Sequence, residues 1–208
     1  MIRLLLVVLF AVIATGANAQ LNHPHNEIGL YTVPNPVGCE AAQVAAAPFT
    51  PFTVYVVLTN PYNAELERPV TTVGGFEFSL DVPSSVLVLS AQYPPGCIWM
   101  PPPPPDYQSG CPVPVTGGAA VLMTMMFMPT TGETVFLHVG PLVTMPPSLP
   151  GAIAFADADD DLSLHVMHPV SGRFDVPVFA INWSGEMSFC ETIPARAESF
   201  GGVKALYR

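Results

Sequence analysis

Residues 52–60 read FTVYVVLTN and residues 74–82 read GGFEFSLDV, and these two stretches decide the fold. Phe52, Val54, Val56 and Leu58 occupy every second position of the first, with Thr53 and Thr59 on the alternate side. In the second, Phe76, Phe78, Leu80 and Val82 alternate with Glu77, Ser79 and Asp81. Successive side chains of a strand leave opposite faces of the sheet, so this period of two predicts half-buried antiparallel strands. Asn60-Pro61 ends the first stretch and Gly74-Gly75 opens the second, which is turn chemistry at a boundary. Val86-Leu87-Val88-Leu89 follows and predicts a third, more fully buried strand.

The same rhythm extends outward. Residues 28–32 read as a first strand, and 39–47 as one or two helical turns before Pro48. In 119–128, Val121, Met123, Met125 and Phe127 share one face while Leu122, Met126 and Met128 share the other. A strand apolar on both faces is either central in a covered sheet, the reading preferred here, or exposed for a partner. Val135, Leu137 and Val139 alternate again, and further strands are predicted at 152–156, 162–166, 176–181 and 203–207. The 25 prolines each fix φ and remove a backbone donor, which excludes a mainly helical protein. Many short strands punctuated by Gly and Pro predict an all-β, antiparallel β-sandwich.

The chain begins with Arg3, ten apolar residues over 4–13, and Ala17-Asn18-Ala19. A basic residue, a short apolar core and an Ala-x-Ala site make a secretory signal peptide over 1–19, leaving 20–208 as a single sandwich domain. That core is too short to span a bilayer, which takes about 20 residues, and no later run is long enough either. The expectation is an exported protein, secreted or held at the cell surface, without a membrane span after cleavage. Formal charge is −10 with no basic cluster, so nucleic acid and anionic lipid are excluded as partners on electrostatic grounds.

In an exported chain the four cysteines are expected in disulfides, and four allow three connectivities. Cys97 with Cys111 is the most economical local pairing, which leaves Cys39 with Cys190. Neither pair has the Cys-x-x-Cys spacing of a zinc or redox centre. Between Cys97 and Cys111 lie five prolines, 101–105, flanked by Trp99 and Tyr107. The run is a stiff extended loop, and the two aromatics are either packed on its rings or available to bind. Asp157, Asp159, Asp160 and Asp161 crowd one turn; Asp157, Asp159 and Asp161 offer the oxygen ligands of a weak calcium site, with a solvated acidic turn as the alternative. Among catalytic signatures, no Gly-x-Ser-x-Gly elbow, His-Glu-x-x-His helix or phosphate-cradling loop is present, so no catalytic residue is assigned. Glu77 and Asp81 share a strand face, as a glycosidase pair could and as any solvent face could.

Thr53-Val54-Tyr55-Val56 running to Asn60, Gly75-Phe76-Glu77-Phe78-Ser79-Leu80, and Val86-Leu87 to Ser90 together resemble the opening half of a cohesin-type domain. Residues 202–208 resemble the C-termini of secreted bacterial proteins. The cohesin resemblance implies a jelly-roll sandwich that holds a partner module. The expected function is therefore a non-catalytic interaction or structural module that binds an extracellular protein or associates with itself. A carbohydrate-binding module is the alternative, taking a polysaccharide on Trp99, Tyr107, Tyr93 and Tyr62 if these align, and a glycoside hydrolase ranks behind both.

Overall fold

The computed structural model describes residues 25–37, 39–99 and 104–185. The expected leader, the 203–207 strand and Cys190 lie outside the described residues, so the Cys39–Cys190 pairing does too. The strands are, in chain order, β1 (Glu27–Tyr31), β2 (Gln43–Val44), β3 (Phe52–Thr59), β4 (Tyr62–Asn63), β5 (Arg68–Pro69), β6 (Thr72–Asp81) and β7 (Val86–Gln92). They continue as β8 (Ile98–Trp99), β9 (Asp106–Pro114), β10 (Ala119–Pro129), β11 (Val135–Gly140), β12 (Ile153–Asp157), β13 (Ser163–Pro169) and β14 (Phe179–Ile181). A single 3-10 turn, Cys39–Ala42, stands where one or two helical turns were expected.

These strands form an all-β sandwich. The front layer runs β8-β9-β6-β12-β13, and the back layer runs β1-β3-β10-β7. The last residues of β13 pair in parallel with β1, Glu27 opposite His168 and Ile28 opposite Pro169, so one strand laces the two layers together. The far end of β6 also holds β11, which pairs with β14 and, through it, the short β2.

The alternation in the deciding stretch translates directly into the core. Val54, Val56 and Leu58 of β3 meet Phe76, Phe78 and Leu80 of β6 between the layers, none more than 3% exposed. Each such side chain contributes about 1.5–3 kcal/mol by leaving water. A second, smaller cluster lies on the outer side of the back layer, where Tyr31, Val57 and Ala119 are covered by Ala41 and Ala42 of the 3-10 turn.

Three local expectations are corrected. Gly74 and Gly75 do not open β6; they lie inside it, and the ladders on both sides skip Gly74 as a bulge. In β10 a bulge between Val121 and Met123 sends both Leu122 and Met123 into the core and turns Val121 to the outer cluster. β7 is not a buried run: only Val86 is covered, while Leu87, Val88 and Leu89 are 43%, 39% and 46% exposed. The physical reason is its position, since among the described residues it pairs with β10 alone and ends the back layer. In addition, 106–114 forms a long strand where none was predicted. Pairing along β6 supplies the order that DYQSGCPVP lacks by propensity, and it buries Tyr107, Ser109, Cys111 and Val113.

Candidate functional site

The outer face of the front layer carries a trough of about 420 Å³. Its floor comes from register. Gly110 of β9 lies opposite Gly75 of β6, Gly75 opposite Ala156 of β12, and Ala156 opposite Leu164 of β13. Partners directly opposite share a face, so this row crosses four strands with almost no side chain on three of them. The next row, about 7 Å along the strands, is Gln108, Glu77, Ala154 and Val166. Leu162, Leu164 and Val166 are 57%, 47% and 39% exposed, and Leu162 and Leu164 make an apolar lip for the trough.

The glycines differ in what they allow. A Cβ on Gly75 would stand 3.0 Å from the Ser109 carbonyl oxygen, so close strand packing favours glycine there. A Cβ on Gly110 would meet nothing within 4 Å. Gly110 thus leaves the floor open without serving the fold.

The polar end of the trough is built by loop 141–152, which two carboxylates tie down. Glu77 Oε1 accepts the Ser148 amide at 2.6 Å, and Oε2 accepts the Ser148 hydroxyl at 2.8 Å and Gln108 Nε2 at 3.4 Å. Asp106, 1% exposed, accepts the amides of Val143, Thr144 and Met145 at 2.9, 2.7 and 3.2 Å and the Thr144 hydroxyl at 2.6 Å. Burial alone would raise its pKa, but the Thr144 hydroxyl and the three amides outweigh it and hold the carboxyl below its usual range. Glu77 is thereby a structural anchor, and Asp81, which pairs with His138 on β11, is exposed at the strand's far end.

The acidic turn sits elsewhere, at the end of β12. Asp157 is fully buried; its Oδ2 accepts Arg68 Nη2 at 3.1 Å and Asn63 Nδ2 at 3.0 Å, and its Oδ1 accepts the Asp159 amide at 2.9 Å. Asp159 Oδ2 takes the Thr71 hydroxyl at 2.6 Å and the Thr71 and Thr72 amides, and Arg68 Nη1 lies 3.8 Å away. The Thr71 hydroxyl foremost, then these amides and Arg68, lower the Asp159 pKa against the opposing effect of burial. Asp161 is exposed on left-handed backbone, φ 45°. The ligand atoms that come within 4.8 Å of one another belong instead to Asp157, Asp160 and His165. Of the expected calcium set, two members therefore face a guanidinium and the third faces solvent, an arrangement that fits calcium poorly.

Among the described side chains, the sequence-named Tyr62, Tyr93 and Tyr107 do not form one exposed row. Tyr107, 6% exposed, stacks on Phe78 with centroids 5.4 Å apart, inside the core. Tyr93 stacks on Phe76, and Tyr62 on His25. Trp99 lies in β8 by its backbone. The expected Cys97–Cys111 disulfide is formed, with Cα atoms 4.2 Å apart, and it ties the chain just before β8 to β9. Among the described residues, no helix is long and apolar enough to cross a membrane.

Sequence reading missed the trough altogether. Gly75 was visible only as turn chemistry, Gly110 lay in a stretch with no strand signal, and Ala156 and Leu164 belong to strands far along the chain. The one available signal was a glycine pair followed without interruption by strand alternation, since glycine inside a strand marks a close approach or a bulge.

No protein-family model and no curated protein sequence matches the chain. Among solved structures, its fold is similar to a type II cohesin domain from the cellulosome of Acetivibrio cellulolyticus, at 11% identity over 76% of this chain and 96% of that one, TM-score 0.43. It is also similar to the sixth cohesin of scaffoldin B of Acetivibrio cellulolyticus, solved in complex with the Cel5 dockerin, at 13% identity over 76% and 99%, TM-score 0.40. A non-cellulosomal cohesin from Archaeoglobus fulgidus aligns at 15% identity over 65% and 80%, TM-score 0.39.

Proposed function

We propose that the protein is a secreted or cell-surface, non-catalytic module that holds a protein partner in the trough of its front layer. The observation that carries this reading is the lane of Gly110, Gly75 and Ala156 beside exposed Leu162, Leu164 and Val166. A side-chain-free floor lets a partner's backbone or small side chains approach closely, and an apolar lip supplies the buried area that drives association. The leader-like N-terminus, the disulfide and the cohesin-type sequence resemblance support the same class.

The test uses Gly110→Trp, which sets a bulky side chain on the trough floor at a position where a Cβ meets nothing within 4 Å. The immobilised protein and this variant are exposed to culture medium and surface extract from the source organism. A protein retained by the wild type should be lost with the variant, and its affinity, measured with purified components, should fall at least about tenfold, as for loss of an interface centre. Equal retention by both overturns the trough as the site. Hydrolysis of a polysaccharide by the pure protein overturns the non-catalytic reading.

A further inference from the structure

We propose that β7 is a self-association edge, at which a second copy of this chain adds its own β7 antiparallel and continues the back layer across a two-fold axis. Among the described residues β7 pairs with β10 on one side only, and the other side presents its N–H and C=O groups. Exposed edges are ordinarily guarded by charge or proline, and β7 has neither between Val86 and Gln92. The ladder to β10 skips Leu89, and this bulge position carries an apolar side chain that is 46% exposed. Leu87, Val88 and Met126 add 43%, 39% and 38% exposed apolar surface beside it.

Charge selects a second copy as the occupant. Residues 82–132 contain one charged side chain, Asp106, and it is buried. The whole chain carries −10, so two copies repel wherever their acidic surfaces approach, and this edge lets them meet without opposing charges. The direction follows as well. Along the chain, exposed Asp81 precedes the Val86 end of the strand, and exposed Glu133 follows Pro129, the partner of Val86. No charged residue lies within ten residues after Gln92. Parallel pairing would bring the acidic ends together. Antiparallel pairing about Leu89 sets them about 20 Å apart along the strand, well beyond the screening length of about 8 Å at physiological salt. Residue i of one copy then faces residue j of the other and the reverse, as a closed two-fold contact requires.

Sedimentation velocity of the purified protein, from micromolar to millimolar, tests this. A monomer–dimer equilibrium is expected, and it should tighten as salt rises because screening relieves the net repulsion. Leu87→Lys combined with Leu89→Lys should weaken it at least about tenfold, since like charges facing across a pair of strands oppose pairing. Circular dichroism checks that this variant is folded, and Val88→Lys alone provides a milder version should it not be. Gly110→Trp should dimerise like the wild type, which separates this proposal from the trough. A monomer at every concentration, or a lysine variant that dimerises as tightly as the wild type, overturns it.

Discussion

Two buried carboxylates of this protein respond to pH in opposite directions, and single substitutions expose the difference. Asp106 is held ionised by four donors and titrates below its ordinary value of 3.8. A depressed carboxylate stabilises the fold in full above its unfolded pKa, and that contribution is lost as pH falls through the folded value. Asp106→Asn should therefore cost about 1–3 kcal/mol at neutral pH, and the gap from wild type should close in melts taken at progressively lower pH below 4. Glu27 behaves the other way. Burial pushes it up to about 8 from 4.5, so its contribution is complete below 4.5 and is lost as pH rises through 8. Glu27→Gln is expected to melt roughly 3–6 °C above the wild type at pH 8 and to lose most of that advantage at pH 5. A gap independent of pH would refute the assignment.

At the scale of elements, β6 organises the molecule by pairing β9 along one side and β12 then β11 along the other. The two glycines of its contact with β9 at the trough, Gly75 and Gly110, face opposite demands. Gly75→Ala forces a Cβ to 3.0 Å from a carbonyl of β9, so the ladder must shift, at a cost of about 1–3 kcal/mol. Gly110→Ala meets open space and should be neutral or slightly stabilising, because it restricts the unfolded chain without strain. Urea unfolding of the two variants side by side decides the matter, and equal midpoints would show that the strands are not clamped at Gly75. Loop 141–152 belongs to the same construction, since Glu77 and Asp106 anchor it from neighbouring strands.

On the scale of the whole molecule, one arginine holds an acidic corner for which the sequence offers a weak calcium site or a solvated turn. Arg68 lies within 3.8 Å of carboxylate oxygens from both Asp157 and Asp159, joining the β4–β5 hairpin to the end of β12. Its charge stands where a cation would otherwise be needed. Millimolar calcium or EDTA should therefore leave the wild-type melting temperature unchanged. Arg68→Met removes that charge, and leaves buried Asp157 without its ion pair, so the variant should melt lower and recover part of the loss in calcium. Recovery absent from Arg68→Met, or a calcium-dependent rise in the wild type, would refute this account of the corner.

The sequence by itself determined the fold class and the faces of β3 and β6, and it favoured Cys97–Cys111 among the three connectivities four cysteines allow. Alternation of period two records which side of a strand meets apolar neighbours, and a short loop favours local bridging. It could not determine where a strand lies in its sheet. Val86 to Leu89 are as apolar as any core strand, yet the exposure of Leu87, Val88 and Leu89 follows from β7 ending the back layer. The trough is likewise tertiary. Gly75, Gly110, Ala156 and Leu164 lie on four separate strands, and only the registers of three ladders bring them into one row. Residues 106–114 show the converse: a segment with weak strand propensity is ordered because β6 offers it a complete hydrogen-bonding edge. Local pattern governs which way a side chain faces, and topology governs what stands in front of it.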